Sequence, residues 1–209
     1  LTTSQIIALS TRQVAGLSTS NLRAITSGQI AAFTTAEIFA LGTELVRSLS
    51  TAQLNALDTT QVASLTTGQV AVLTSTQLNA LSATKLQALE TDDVQALTST
   101  QISGLTSTQL NALSSAAMQL LETADLQALT STQIQALSTG QLNKLSESQV
   151  QSLTSEQLRA LTSVQLNGLS SNVVQALSSS QVDELTTTQV AGLSALALNK
   201  LSTSQVADL

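Results

Sequence analysis

Cysteine, histidine, proline, tyrosine and tryptophan are all absent from the 209 residues, and Phe33 and Phe39 are the only aromatic rings. Each absence removes a class of function. Without cysteine there is no disulfide framework and no thiolate metal site, and the redox compartment stays open. Without histidine or cysteine, a Ser-His-Asp or Cys-His nucleophile arrangement is excluded, and the common proton-shuttling side chains are missing. Charge is sparse as well. Seven basic and thirteen acidic side chains give a net charge of −6 and charged residues make up 10% of the chain. That balance argues against the basic footprint that nucleic acid requires, and against anionic membrane surfaces. No apolar run approaches the roughly 20 residues of a membrane span. There is no phosphate-cradling G-x-x-x-x-G-K-[ST] loop. No proline and no Gly/Ser linker interrupts the chain, which reads as one structural unit over residues 1–209.

What is there is a repeat of eight residues. TSTQLNAL at residues 106–113 and its variants, laid end to end from Thr2, account for every position to Leu209 in 26 copies. The copies are numbered here as octads 1 (residues 2–9) to 26 (residues 202–209). Position one is Ser or Thr in 22 copies, the exceptions being Gly42, Asp58, Glu90 and Glu122, and position four is Gln in 17 copies and Glu37 in one more. Ser/Thr followed three residues later by Gln or Glu is a capping box, in which hydroxyl and amide satisfy two backbone N–H groups reciprocally. Position five is Ile, Val, Leu or Met, position seven is mostly small, and position eight is Leu except at Ile25 and Phe33.

Positions five and eight lie three apart and share one helix face. The step from position eight to the next position five is five residues, which a continuous 3.6-residue helix does not keep in phase. A fresh N-cap in each octad supplies the break. The spacing therefore predicts an all-α solenoid of about 26 short two-turn helices, one per octad. Helices this short are marginal alone, so neighbours must stack and bury positions five and eight, as repeats of a solenoid do. A β-solenoid is the competing fold, since Thr, Val and Ile suit strands. The Gln-x-x-Ala-Leu pattern, the lack of period-two alternation and only eight glycines for 26 corners favour helices. Three to four octads per superhelical turn is expected over two, giving about seven turns stacked at helix-packing distances.

Several features stand out from the regular pattern. Between residues 34 and 49, Phe39 takes a normally polar sixth position, Gly42 replaces the cap and Leu45 replaces Gln. A kink or wider turn is expected there, with a partner groove around Phe33, Phe39 and Leu45 as the alternative. Asn recurs at position six in Asn55, Asn79, Asn111, Asn143, Asn167 and Asn199, at gaps of 24 or 32 residues. Either similar faces return once per superhelical turn or the pattern records duplication alone. Ala117, Val173 and Ala197 stand where Gln is expected, behind intact Ser caps. Asp92–Asp93 and Asp183–Glu184 could offer oxygen ligands to a hard cation, but no Asp-x-Asp-x-Asp-Gly loop supports them and a solvated face is expected. Catalytic, cofactor-binding and metal-binding residues are all read as none, and no enzyme is expected.

Positions two, three, four and six are expected to form an outer lattice of hydroxyls and amides. Such a surface suits a spacer, or a repetitive face for glycans, ice or other copies of itself. The octad, as in TSTQIQAL at residues 130–137 and TTTQVAGL at residues 186–193, resembles the low-complexity tandem repeats of very large secreted or surface proteins of proteobacteria, of adhesin or haemagglutinin type. That resemblance implies an extracellular or cell-surface structural role, with adhesion carried by other domains and no site residues to transfer. The chain has no initiating Met and no polar end caps, and Leu1 reads as the tail of a further copy. A slice of a longer array is therefore expected, one whose ends contact other copies.

Overall fold

A computed structural model describes residues 2–207 and 209 of the chain. Among these residues there are 26 α-helices of four to six residues, one in each octad. The expectation for Leu1 lies outside the described residues. Each helix starts as the octad predicts. At octad 14, whose helix is Ser107–Ala112, the N-cap Thr106 is extended (φ −71°, ψ 156°), its hydroxyl accepts from the Gln109 N–H, and the Gln109 amide oxygen accepts from the Thr106 N–H at 3.0 Å. The helix also ends within the octad. Leu113 at position eight is extended (φ −57°, ψ 140°) while its N–H still donates to the Leu110 carbonyl. From the cap carbonyl to the position-eight N–H, the hydrogen-bonded stretch covers about two turns.

Where the helix runs to position seven, two consecutive extended residues make the corner, as Leu57 with Asp58 and Leu81 with Ser82 do. None of the described residues has a positive φ. The corner therefore needs no left-handed residue, so the usual reason for glycine after a helix is missing. This is why so few glycines suffice for so many corners. The irregular stretch conforms too: the helices Thr35–Ala40 and Thr43–Ser48 flank Gly42 at φ −64° and ψ 152°, the geometry of the other caps. No kink or wider turn occurs there, because glycine reaches the extended cap conformation even without a capping hydroxyl.

Contacts divide the chain into two compact units, Leu1–Ser114 and Ser115–Leu209. In the first unit each helix packs on the helix three octads away: Ser27–Ile30 on Thr51–Ala56, Thr51–Ala56 on Ser75–Ala80, and Ser75–Ala80 on Ser99–Ser103. In the second unit Ser131–Ala136 packs on Ser155–Ala160, and Glu147–Gln151 on Ser171–Ala176. Positions five and eight fill the interior of both units, as Leu54, Leu57, Leu78 and Leu81 do in the first and Ile134, Leu137, Leu158 and Leu161 in the second. Phe33 and Leu45 belong to this interior, whereas Phe39 is exposed. A partner groove built from all three is thus ruled out by the burial of two of them.

Candidate functional site

One polar side chain per typical octad lies inside, and it is the position-four glutamine. Gln53, Gln69, Gln101 and Gln109 in the first unit, and Gln149, Gln157, Gln165 and Gln189 in the second, are all buried. This corrects their expected place on the outer lattice. A buried amide must find partners for its donor as well as its acceptor, and it finds them on another turn. While Gln109 Oε1 closes its own capping box, its Nε2 donates to the carbonyls of Leu78 (2.9 Å) and Leu81 (2.8 Å), positions five and eight of octad 10. Gln53 reaches Leu22 and Ile25 in the same way, and Gln165 reaches Ile134 and Leu137. Gln149 and Gln189 likewise use acceptors 31 and 28 residues back, whereas Gln61, Gln77 and Gln101 use carbonyls 30 and 28 residues back. Each of these glutamines thus joins the orphan N–H at the start of its own helix to carbonyls at the end of the helix four octads earlier.

A second set of bonds runs the other way from position six. Gln87 donates to the Ala112 carbonyl, Gln127 to that of Ser152, Asn143 to that of Gly168 and Asn167 to that of Gly192, always 25 residues on. With partners three octads ahead and four octads behind, a superhelical turn in each unit holds between three and four octads. The same closeness selects small residues at position seven. A Cβ on Gly168 would meet Thr139 Cγ2 at 2.6 Å, and one on Gly104 would meet Ser75 Cβ at 2.6 Å, each contact lying three octads back.

Three copies that lack the glutamine, octads 11, 22 and 25, are repaired from another turn. In octad 22 Val173 replaces it, and the orphaned Ser170 N–H donates instead to Asn143 Oδ1 at 2.7 Å. In octad 25 Ala197 replaces it, and the Ser194 N–H donates to Asn167 Oδ1 at 2.8 Å. Lys200 of that octad supplies the missing donor to the Leu169 carbonyl at 2.5 Å. In octad 11 Lys85 stands in the glutamine position and its ammonium donates to the Asn55 carbonyl and side chain. The position-six asparagines Asn55, Asn143 and Asn167 therefore sit four octads before a defective copy. Sequence reasoning missed this, although a signal was present in the 27-residue interval from Asn143 to Ser170 and from Asn167 to Ser194.

The candidate carboxylates separate. Asp93 is buried and structural: one oxygen accepts from the Thr67 hydroxyl at 2.9 Å and the other from the Glu90 N–H at 3.1 Å. The solvated face expected for it holds for its neighbour Asp92, whereas Asp93 takes the inward position-four place that Gln69 and Gln101 take in octads 9 and 13. Asp183 is exposed, and Glu184 pairs with Arg159 three octads earlier. Among the described residues, no group of three or more His, Cys, Asp or Glu comes together in a way that could hold a metal ion. Asp58, which caps octad 8, has a carboxyl held below the ordinary aspartate range, chiefly by the Thr60 hydroxyl and then by the Gln61 N–H.

Open grooves run between turns. One of about 710 Å³ in the second unit is lined by Thr130, Ser131, Thr132, Thr154, Ser155 and Glu156, with Ser131 Oγ donating to Glu156 Oε1 at 3.1 Å. It is a hydroxyl-rich surface with a single carboxylate and no ring. No helix among the described residues is long and apolar enough to cross a membrane.

None of the curated proteins matches the chain significantly. The signature of the ALTTAQ repeat, in contrast, is found five times, at residues 1–35, 35–67, 86–121, 118–155 and 154–187. Each match spans a little over four octads, about the length that one glutamine clamp bridges. Since these matches cover most of the chain, and the repeated unit they describe is the one that builds both its packing and its hydrogen-bond ladders, the chain belongs to the ALTTAQ repeat family.

Proposed function

We propose that the chain is a structural spacer, a stalk segment of a large extracellular or cell-surface protein, without catalytic activity. One observation carries this: the polar side chains that the fold buries are engaged with the backbone of neighbouring turns, as Gln109 and Gln165 are. What remains outside is a repeated array of Ser and Thr at positions two and three, such as Thr59, Thr60, Ser179 and Ser180, with little charge. Catalysis needs convergent acid, base or nucleophile groups, and the grooves offer hydroxyls beside single carboxylates. The extracellular placement rests on the resemblance of the octad to repeats of adhesin-like proteins.

A spacer binds nothing along its length. Titration of the chain against a panel of neutral and acidic glycans, together with an ice-recrystallisation assay, is expected to give no signal. Saturable glycan binding, or inhibition of ice growth, would move the function to a repetitive adhesive surface. Antibody labelling of intact cells tests the location, and labelling only after permeabilisation would refute it.

A further inference from the structure

Three of the four arginines stand at position six, Arg23 and Arg47 in the first unit and Arg159 in the second. Arg159 donates from Nε to the Glu184 carbonyl at 3.3 Å and from a terminal nitrogen to the Glu184 carboxylate. Arg23 donates from Nε to the Ser48 carbonyl, also at 3.3 Å and also 25 residues on. The backbone half of the contact is thus repeated in the first unit. The carboxylate half is not, because Ser48 is buried and its hydroxyl turns to the Leu45 carbonyl at 2.8 Å. Arg159–Glu184 is the one ion pair among the described residues, so neither Arg23 nor Arg47 belongs to one. Both line a groove of about 260 Å³ on the first unit, together with Thr19, Glu44, Ser48 and Thr74.

We propose that this groove binds a carboxylate side chain from an acidic peptide segment of a partner protein, held by Arg23 and Arg47 as Glu184 is held by Arg159. The pair in the second unit is the template for the contact. There a guanidinium anchored through Nε to a position-seven carbonyl turns its terminal nitrogens to the carboxylate of that same residue. Anchoring orients the planar fork in advance, and that fork matches the geometry of a carboxylate. Two arginines against Glu44 leave the groove with one positive charge, which favours a single carboxylate over a polyanion. Its size points the same way. About 260 Å³ lies below the roughly 300–1,000 Å³ of small-molecule pockets, so the fit is to one side chain and not to a saccharide. Exposed ion pairs are weak, and the affinity is expected to be on the order of 1 mM. The proposal goes beyond the spacer reading, which concerns the repeated hydroxyl face, by giving one turn of the first unit a single point of attachment.

Nuclear magnetic resonance of the isotope-labelled full chain, at low salt to limit screening, reads the Nε–H groups of its four arginines directly. The probe is a short peptide with blocked ends and a single glutamate, and its glutamine counterpart is the control. The Arg23 and Arg47 signals are expected to shift saturably with the glutamate peptide alone, while Arg159, already paired with Glu184, stays still. Arg23→Gln should weaken the binding read at Arg47 by about tenfold. Ser48→Glu lets the chain supply the carboxylate itself, as Glu184 does, and should abolish binding. Circular dichroism checks that each variant folds, and Arg23→Gln decides alone if replacing the buried Ser48 unfolds the chain. No saturable shift, equal shifts with the glutamine peptide, or undiminished binding in Arg23→Gln overturns the proposal. Acetate binding as tightly as the peptide would make this a free-anion site and overturn the peptide assignment. Silence toward the peptide, with glycan and ice assays also silent, ends this proposal and leaves the spacer role standing. Peptide binding alongside a glycan signal does the reverse, so the two fail separately.

Discussion

Gln109 and Gln5 are the same residue in the same local motif, yet they do different amounts of work. Both close a capping box, and a capping box alone implies a cost of at most about 1 kcal/mol for removal. Gln5→Ala, where the side chain is exposed and closes only its own box, should cost no more than that. Gln109→Ala also strips a donor from the buried carbonyls of Leu78 and Leu81. It is expected to cost on the order of 2–3 kcal/mol, within the range for buried hydrogen-bonding groups left unsatisfied, approaching the roughly 2–5 kcal/mol of Leu81→Ala. Chemical denaturation of the three variants checks this, and equal costs for Gln5→Ala and Gln109→Ala would show that the inter-turn bonds contribute nothing. Asp58 adds a pH dependence. Its folded carboxyl titrates below the ordinary value because the Thr60 hydroxyl and the Gln61 N–H favour the ionised form. The contribution is therefore present above the unfolded pKa near 4 and is lost as pH falls through the lowered folded value. The stability gap between wild type and Asp58→Ser should be constant near neutrality and shrink in acid. A gap that widens on acidification would contradict the sign.

At the scale of the helix, no element is stable by itself, and each draws its ends from other turns. Octad 22 shows the coupling. Its cap N–H at Ser170 uses Asn143 Oδ1 because Val173 cannot close the box. Asn143→Ala should destabilise the chain by about 1–2 kcal/mol. In a Val173→Gln background the same change should cost less, because the new glutamine supplies the acceptor locally. A double-mutant cycle measures that difference, and additive costs would refute the substitution of one acceptor for the other. The helix boundaries themselves were legible, since Ser or Thr at position one and Gln at position four mark every consensus start, and Leu at position eight marks the corner. The role of Asn143 was not legible in the same way. Its partner is 27 residues distant, and the distance has meaning only once the number of octads per turn is known.

For the whole molecule, the nearest-neighbour logic of a solenoid predicts graded stability. In the second unit, amides of the helix Thr203–Ala207, beside the exposed Val206, should exchange faster in hydrogen-exchange mass spectrometry than those of Ser155–Ala160, whose Leu158 and Leu161 are buried. Uniform protection across both helices would mean a single cooperative unit instead. The octad alone determined the fold class, the 26 helix starts and the inward face at positions five and eight, and the composition determined the lack of histidine and cysteine. Those are local consequences of capping chemistry and 3.6-residue geometry, or of residue types that are simply missing. Only the tertiary structure decided that position four faces inward, that Asp93 is buried, and that Asn143 and Asn167 repair other octads. The reason is physical: an amide has two ends, and local sequence accounts for the acceptor at its own cap. Whether the donor meets water or a carbonyl depends on what the preceding turn, 28 residues away, brings beneath it.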